Sequence, residues 1–133
     1  MLSHTTTLRV RYADTDKMGI VYYAKYLEYF EVARTEMLRA MGLPYHEIEK
    51  KGFELPVASA SIKYYKGAGY DDELLITASM NPSNSPRVEI HYEVKKNDGE
   101  LIVEGETTLV FVDAVTGKPA RAPQFYLDAI KAK

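Results

Sequence analysis

The stretch Arg11-Tyr12-Ala13-Asp14-Thr15-Asp16-Lys17-Met18-Gly19-Ile20-Val21-Tyr22-Tyr23-Ala24-Lys25-Tyr26 sets two carboxylates and a glycine just ahead of a run of aromatics. It reads as a strand end, an acidic loop and the start of a long helix. A carboxylate beside a helix N-terminus proposes chemistry. The unpaired backbone N–H groups there can hold an oxyanion, and the acid can attack or deprotonate something next to it. Taken alone, an Asp before a helix is more often a loop acid that caps the helix. Asp14 reads as a brace for the loop. Gly19 reads as a turn glycine or as a point of close ligand approach. Tyr22, Tyr26 and Tyr29 read first as core aromatics, with Tyr23 able to line a pocket.

The elements that must hold this loop follow from the hydrophobic period. Thr7 to Tyr12 alternates, with Leu8, Val10 and Tyr12 on one side and Arg9 and Arg11 on the other, as in a half-buried strand. From Tyr22 to Met41 the period becomes helical, through Tyr22, Tyr26, Phe30, Ala33, Met37 and Met41. Tyr23, Leu27, Tyr29 and Leu38 widen the apolar surface, which predicts a helix buried on nearly all sides. Gly42-Leu43-Pro44 ends it, and Tyr45 to Lys51 can form a short second helix. Alternation then returns at 55–65, 72–80, 87–95 and 100–113, broken by Asn81-Pro82-Ser83-Asn84-Ser85-Pro86, by the hairpin signal Asn97-Asp98-Gly99 and by Thr116-Gly117-Lys118-Pro119. Pro123 to Lys131 can form a terminal helix. Consecutive strands with one segregated helix predict an α+β fold with an antiparallel sheet, strongly curved round the helix.

Composition narrows the function classes. The 133 residues form one domain, 1–133, large enough for a core. A net charge of −2 argues against general nucleic-acid binding. With no cysteine there is no disulfide, zinc–thiolate site or cysteine nucleophile. No apolar run approaches the roughly 20 residues that span a bilayer, and residues 1–7 lack the blocks of a signal peptide; a soluble cytoplasmic protein is expected. His4, in a segment expected to fray, His46 and His91 are too scattered for a metal site. Asp71-Asp72-Glu73 reads as a strand start. Lys63, Lys66, Arg87, Lys95, Lys96, Lys118 and Arg121 each read as solvated surface charges.

The pattern Tyr12-x-Asp14-x-Asp16-x-x-Gly19-x-Val21-x-Tyr23-x-x-Tyr26, followed by Ala33-Arg34-Thr35-Glu36, by Tyr64-Tyr65, by Ala68-x-Tyr70-Asp71-Asp72-x-Leu74 and by Val112-Asp113-x-x-Thr116-Gly117-Lys118-Pro119-x-Arg121, resembles the hot-dog-fold acyl-CoA thioesterases, and among them the 4-hydroxybenzoyl-CoA thioesterase family. The resemblance spans essentially the whole chain. It implies a five-stranded antiparallel sheet wrapped round one long helix, assembled as a dimer or a dimer of dimers with the site between subunits. It implies that Asp16 is the catalytic carboxylate and that the Tyr23 backbone N–H, at the first turn of the helix, polarises the thioester carbonyl. Gly19, Ile20, Val21 and Tyr22 become the expected substrate contacts. Tyr23 stands where a bacterial branch associated with the Tol-Pal system usually has His, and Met18 replaces a small residue, which narrows the pocket mouth.

The activity so implied is hydrolysis of acyl-CoA thioesters by a homo-oligomer. Asp16 attacks directly, giving a mixed anhydride that water opens, or activates water as a general base. No metal and no cofactor are needed, since coenzyme A is part of the substrate. Two other readings stand beside it: a non-catalytic acyl-CoA binding module on the same fold, against which Asp16 argues, and a hot-dog dehydratase, which would want a His near the helix where none lies between His4 and His46.

Overall fold

In the computed structural model, which describes residues 1–132, the alternating segments pair as one antiparallel sheet and the helical segment packs on it. The strands are β1 (Leu2–Arg9), β3 (Val57–Tyr64), β4 (Glu73–Met80), β5 (Arg87–Lys96) and β6 (Leu101–Val110), in the order β1-β4-β5-β6-β3. A small ribbon joins β2 (Phe53–Glu54) to β7 (Val112–Asp113). The helices are α1 (Lys25–Ala40), α2 (Tyr45–Lys50) and α3 (Gln124–Lys131).

The inner sheet face is the one the alternation selects. Leu74, Ile76, Ala78 and Met80 of β4 and Val88, Ile90, Tyr92 and Val94 of β5 are buried. They meet Tyr26, Phe30, Ala33 and Met37 on α1. At the sheet centre the Phe30 ring stacks on Tyr92 with centroids 4.3 Å apart and planes 7° from parallel. Gly105 permits it: a Cβ there would sit 2.5 Å from a Phe30 ring carbon and 2.8 Å from the Ser61 carbonyl oxygen. Any side chain at 105 would push the helix off the sheet.

Several expectations are corrected. Strand β1 starts at Leu2, and His4 lies opposite Ala78 in continuous register rather than in a frayed end. Tyr12 is not an inward strand residue. It belongs to a 3-10 turn, Tyr12–Asp14, and is 77% exposed. Helix α1 starts three residues later than the pattern suggests, so Tyr22 and Tyr23 precede it and are exposed. The helix is also not buried all round, because Leu27 and Val32 face outward; one sheet covers only one side of a cylinder. Strand β3 is open on both faces, with Ile62 alone partly buried. The apolar run near residue 110 is not one long strand. The ladder stops at Val110, the Phe111 N–H donates to the Pro86 carbonyl at 2.8 Å, and the next two residues pair with β2 instead.

Candidate functional site

The two loop carboxylates have different environments. Asp14 is buried, and the Tyr29 hydroxyl donates to its Oδ2 at 2.8 Å. The Arg11 amide and guanidinium approach it at 3.4 Å, and Lys25 Nζ at 3.8 Å. Its carbonyl accepts the Tyr22 N–H at 2.8 Å. Burial alone raises the carboxyl pKa, but the Tyr29 hydroxyl and the Arg11 contacts outweigh it and hold Asp14 below the usual carboxylate value. The same contact and burial push the Tyr29 hydroxyl up. Asp14 therefore ties loop, turn and helix together, the bracing role its position suggested.

Asp16 sits at the head of a tight turn. The Gly19 N–H donates to its carbonyl at 2.9 Å, its own N–H donates to Ile20 O at 2.9 Å, and its Oδ1 accepts the Met18 N–H at 2.8 Å. Gly19, at φ +79°, supplies the left-handed residue that closes the turn. The Val21 N–H then donates to Ala68 O at 2.9 Å, which anchors the loop to the segment before β4. Asp16 Oδ2 has no hydrogen-bond or ion-pair partner among the described residues.

The entry to α1 leaves a donor free as well. The Lys25 N–H turns back to Tyr22 O at 2.8 Å and the Leu27 N–H to Ala24 O at 3.2 Å, while the Tyr23 N–H has no acceptor among the described residues. The next peptide unit, between Tyr23 and Ala24, is held in place, since the Tyr64 hydroxyl donates to Tyr23 O at 2.9 Å. Tyr23 thus belongs to the turn just ahead of the helix, not to its first turn.

Asp16 and Tyr23 line one cavity of about 320 Å³ with Ile20, Val21, Tyr26 and Tyr64. Met18, 77% exposed, and Lys66 stand on its wall. Gly19 and Tyr22 lie elsewhere: with Tyr12, Lys17 and Lys25 they line an open groove of about 790 Å³ that shares only Asp16 with the cavity. Four of the six expected site residues therefore converge on one pocket, and two flank it. Tyr64 and Tyr26 were not assigned to the site from sequence. Tyr64 lies 41 positions from the carbonyl it holds, a separation no local pattern signals. Tyr26 carries a buried hydroxyl without a partner among the described residues, and burial pushes it up to about 12, so it stays protonated. Among the described basic residues Lys66 alone reaches this cavity, and it is ion-paired with Glu100.

Among the described residues no three His, Asp or Glu side chains gather as a metal site, and no helix is long and apolar enough to cross a membrane. His91 lies between Glu104, at 3.3 Å, and Glu106, at 3.7 Å, on the outer sheet face.

Residues 10–130 match the model of the thioesterase-like superfamily. The chain is 31% identical to the acyl-CoA thioester hydrolase YbgC of Escherichia coli over 88% of its own length and 87% of that protein's. Among solved structures, the DHNA-CoA thioesterase of Staphylococcus aureus superposes with a TM-score of 0.90 at 32% identity, covering 99% of this chain and 89% of that one. A 1,4-dihydroxy-2-naphthoyl-CoA thioesterase from Synechocystis gives 0.89 at 28% identity, covering 97% and 96%. Sheet order, buried helix and whole-length similarity agree: the chain belongs to the thioesterase-like superfamily and has the hot-dog fold.

Proposed function

We propose that this protein hydrolyses acyl-CoA thioesters to a free acid and coenzyme A, with Asp16 as the reactive carboxylate and the Tyr23 N–H as the oxyanion donor. The observation that carries the reading is that Asp16, whose Oδ2 has no partner among the described residues, and Tyr23, whose N–H has no acceptor among them, line one cavity. The relatives named as acyl-CoA thioesterases and thioester hydrolases support it. Gly19, Ile20, Val21 and Tyr22 shape the two sides of the reacting carbonyl.

A thioester carbonyl lying against the Tyr23 amide gains charge on oxygen as it is attacked, and the amide with the nearby helix end stabilises that charge. Oδ2 supplies the other half. It either bonds to the carbonyl carbon, expelling the thiolate and leaving a mixed anhydride that water opens, or takes a proton from a water that attacks the same carbon. Both routes end in the carboxylic acid and the thiol, and neither calls for a metal or a cofactor. Hydroxylamine trapping during turnover separates them, because only the anhydride yields a hydroxamate on Asp16.

An oligomer belongs to the same reading. Strand β3 is an unpaired edge, with both faces open and Val57 and Tyr64 each about half exposed; such an edge invites pairing. Tyr64 stands on the cavity wall at the end of that edge, so a second copy added there would complete the pocket. We expect a dimer or a dimer of dimers, working in the cytoplasm. Sedimentation showing only a 15.1 kDa species at micromolar concentration would refute the assembly.

Thiol release from short, long and aromatic acyl-CoAs tests the activity. Binding of CoA esters without release would leave a binding module in place of an enzyme.

A further inference from the structure

The segment between β3 and β4 holds the one non-glycine residue with a left-handed backbone among the described residues, Asp71 at φ +70°. Such a conformation is strained and persists only where surrounding bonds enforce it. Here they do. The Asp71 N–H donates to Val10 O at 2.9 Å, and Arg9 Nη1 donates to Asp71 O at 2.8 Å. The Asp72 N–H turns back to Gly69 O at 3.2 Å. The turn brings the Asp72 side chain back to the residue that opens it, so that Asp72 Oδ2 accepts the Gly69 N–H at 2.8 Å. Lys96 Nζ, 3.7 Å from the same oxygen, balances its charge.

That bond does not end at the turn. The Gly69 N–H and the Ala68 carbonyl belong to one planar peptide unit. The Ala68 carbonyl accepts the Val21 N–H at 2.9 Å. The Val21 N–H and the Ile20 carbonyl form a second unit, and Ile20 O accepts the Asp16 N–H at 2.9 Å. Hydrogen bonds in series therefore run from the Asp72 carboxylate, through two rigid peptides, to the backbone of Asp16. A charged acceptor at one end polarises each unit and strengthens the bonds beyond it. Every bond of the series is made within one chain. Close packing backs the same contact, since a Cβ at Gly67 would lie 3.0 Å from Ile20 Cγ2. Asp98 and Asp113 also accept turn amides, but among the described residues neither turn makes a backbone bond to residues 12–26.

We propose that Asp72 is a positioning residue for the reaction: through the Ala68–Gly69 and Ile20–Val21 peptides it sets where the Asp16 turn stands against the Tyr23 N–H. This role rests on the hydrolytic reading and adds to it a carboxylate that is not on the cavity wall. The bonds that shape the Asp16 turn itself, from Met18 and Gly19, are local. Loss of the Asp72 acceptor leaves them intact and frees the turn to shift as a unit. A displacement of about 1 Å at a reacting group is enough to slow chemistry about 10²-fold.

The test compares Asp72→Ala, which deletes the acceptor, with Asp72→Asn, whose side-chain oxygen still accepts the Gly69 N–H. Thiol release is followed on hexanoyl-CoA and benzoyl-CoA. Amide hydrogen exchange is read at Asp16 and Val21, with buried Tyr92 in the sheet as the control. D72A should lower kcat about 10- to 10²-fold and leave KM within about threefold. It should speed exchange at Asp16 and Val21 about tenfold while Tyr92 keeps its rate. D72N should stay within about threefold of the wild type in both readouts. Wild-type kcat in D72A would overturn the proposal, and so would an equal loss in D72N and D72A. Exchange that rises equally at Tyr92 would also overturn it, because Asp72 would then serve the stability of the whole fold. A wild type that releases thiol from neither ester would overturn the hydrolytic reading and this role with it, a result distinct from turnover that D72A retains. Should D72A fail to fold, scalar couplings across the hydrogen bonds of the wild type decide. Coupling from Val21 N to Ala68 C′ and from Asp16 N to Ile20 C′ supports the series, and its absence at either bond overturns it.

Discussion

Asp14 and Asp16 are the same residue type two positions apart on one loop, and the fold gives them opposite conditions. Asp14 is 3% exposed and surrounded by the Tyr29 hydroxyl, the Arg11 amide and guanidinium and the Lys25 ammonium. Asp16 is only partly buried, spends one oxygen on the Met18 amide and leaves the other unengaged beside a cavity. A carboxylate whose lone pairs are filled by fixed donors stabilises structure. One with a free oxygen at a pocket wall retains its nucleophilicity and basicity. The difference lies in partners, not in residue type or sequence position.

The sharpest way to break this comparison is to neutralise each acid in turn. Asp16→Asn should lower thiol release by about 10³-fold or more, on the scale of losing a nucleophile or base together with its charge, and should shift the melting temperature little. A variant that kept wild-type turnover would remove Asp16 from the reaction. Asp14→Ala should do the reverse in kind: it strands the buried Tyr29 hydroxyl and should cost about 1–3 kcal/mol of stability, read as a shift in urea midpoint with unchanged slope. Any loss of turnover in that variant should recover at lower temperature, where the loop is re-formed.

Acid titration tests the Asp14 network a second way. The folded-state pKa of Asp14 lies below its ordinary value of 3.8. The unfolded chain therefore binds its proton first as pH falls. The stability Asp14 contributes is fully present above about 3.8 and is lost as pH drops through the lower folded-state value. Urea midpoints measured from pH 6 down to pH 3 should fall for the wild type, and Asp14→Asn should flatten part of that slope. Parallel limbs in the wild type and Asp14→Asn would show that the Tyr29 and Arg11 contacts do not hold in solution.

How far this was legible in the sequence follows from the range of each interaction. The strands β4, β5 and β6 and both short helices were readable because alternation, hairpin glycine and helix stops are local. The start of β1 was missed because Ser3, His4, Thr5 and Thr6 carry no apolar signal; the register with β4 defines that strand, from Leu2 opposite Met80 to Arg9 opposite Glu73. Burial was overread on α1 and β3 for one reason. Leu27, Val32 and Val57 are apolar but face outward in the single chain, and sequence cannot say whether an apolar residue meets its own sheet or another copy. At the site, the Asp16 loop was visible as residue types. Its free oxygen was not, since that depends on which of its two oxygens the Met18 amide takes.

The finest test of the comparison concerns the donor opposite Asp16 rather than either acid. The Tyr64 hydroxyl holds the Tyr23–Ala24 peptide, adjacent to the one that carries the Tyr23 N–H, by its carbonyl, and Tyr64 is about half exposed. Tyr64→Phe removes that bond and keeps the ring, which packs edge-on to Tyr23 at 6.4 Å and Tyr26 at 5.8 Å. A single net hydrogen bond is worth about 0.5–1.5 kcal/mol, and exposure puts this one toward the low end. If the bond serves only the fold, the loss should appear in the melting temperature and leave kcat alone. If it fixes the direction of the Tyr23 N–H, kcat should fall about threefold with KM nearly unchanged, because an oxyanion donor acts in the transition state more than in the ground state. The geometry predicts the second result: the bond fixes the peptide unit next to the one that carries the Tyr23 N–H, and the two turn about the same Cα.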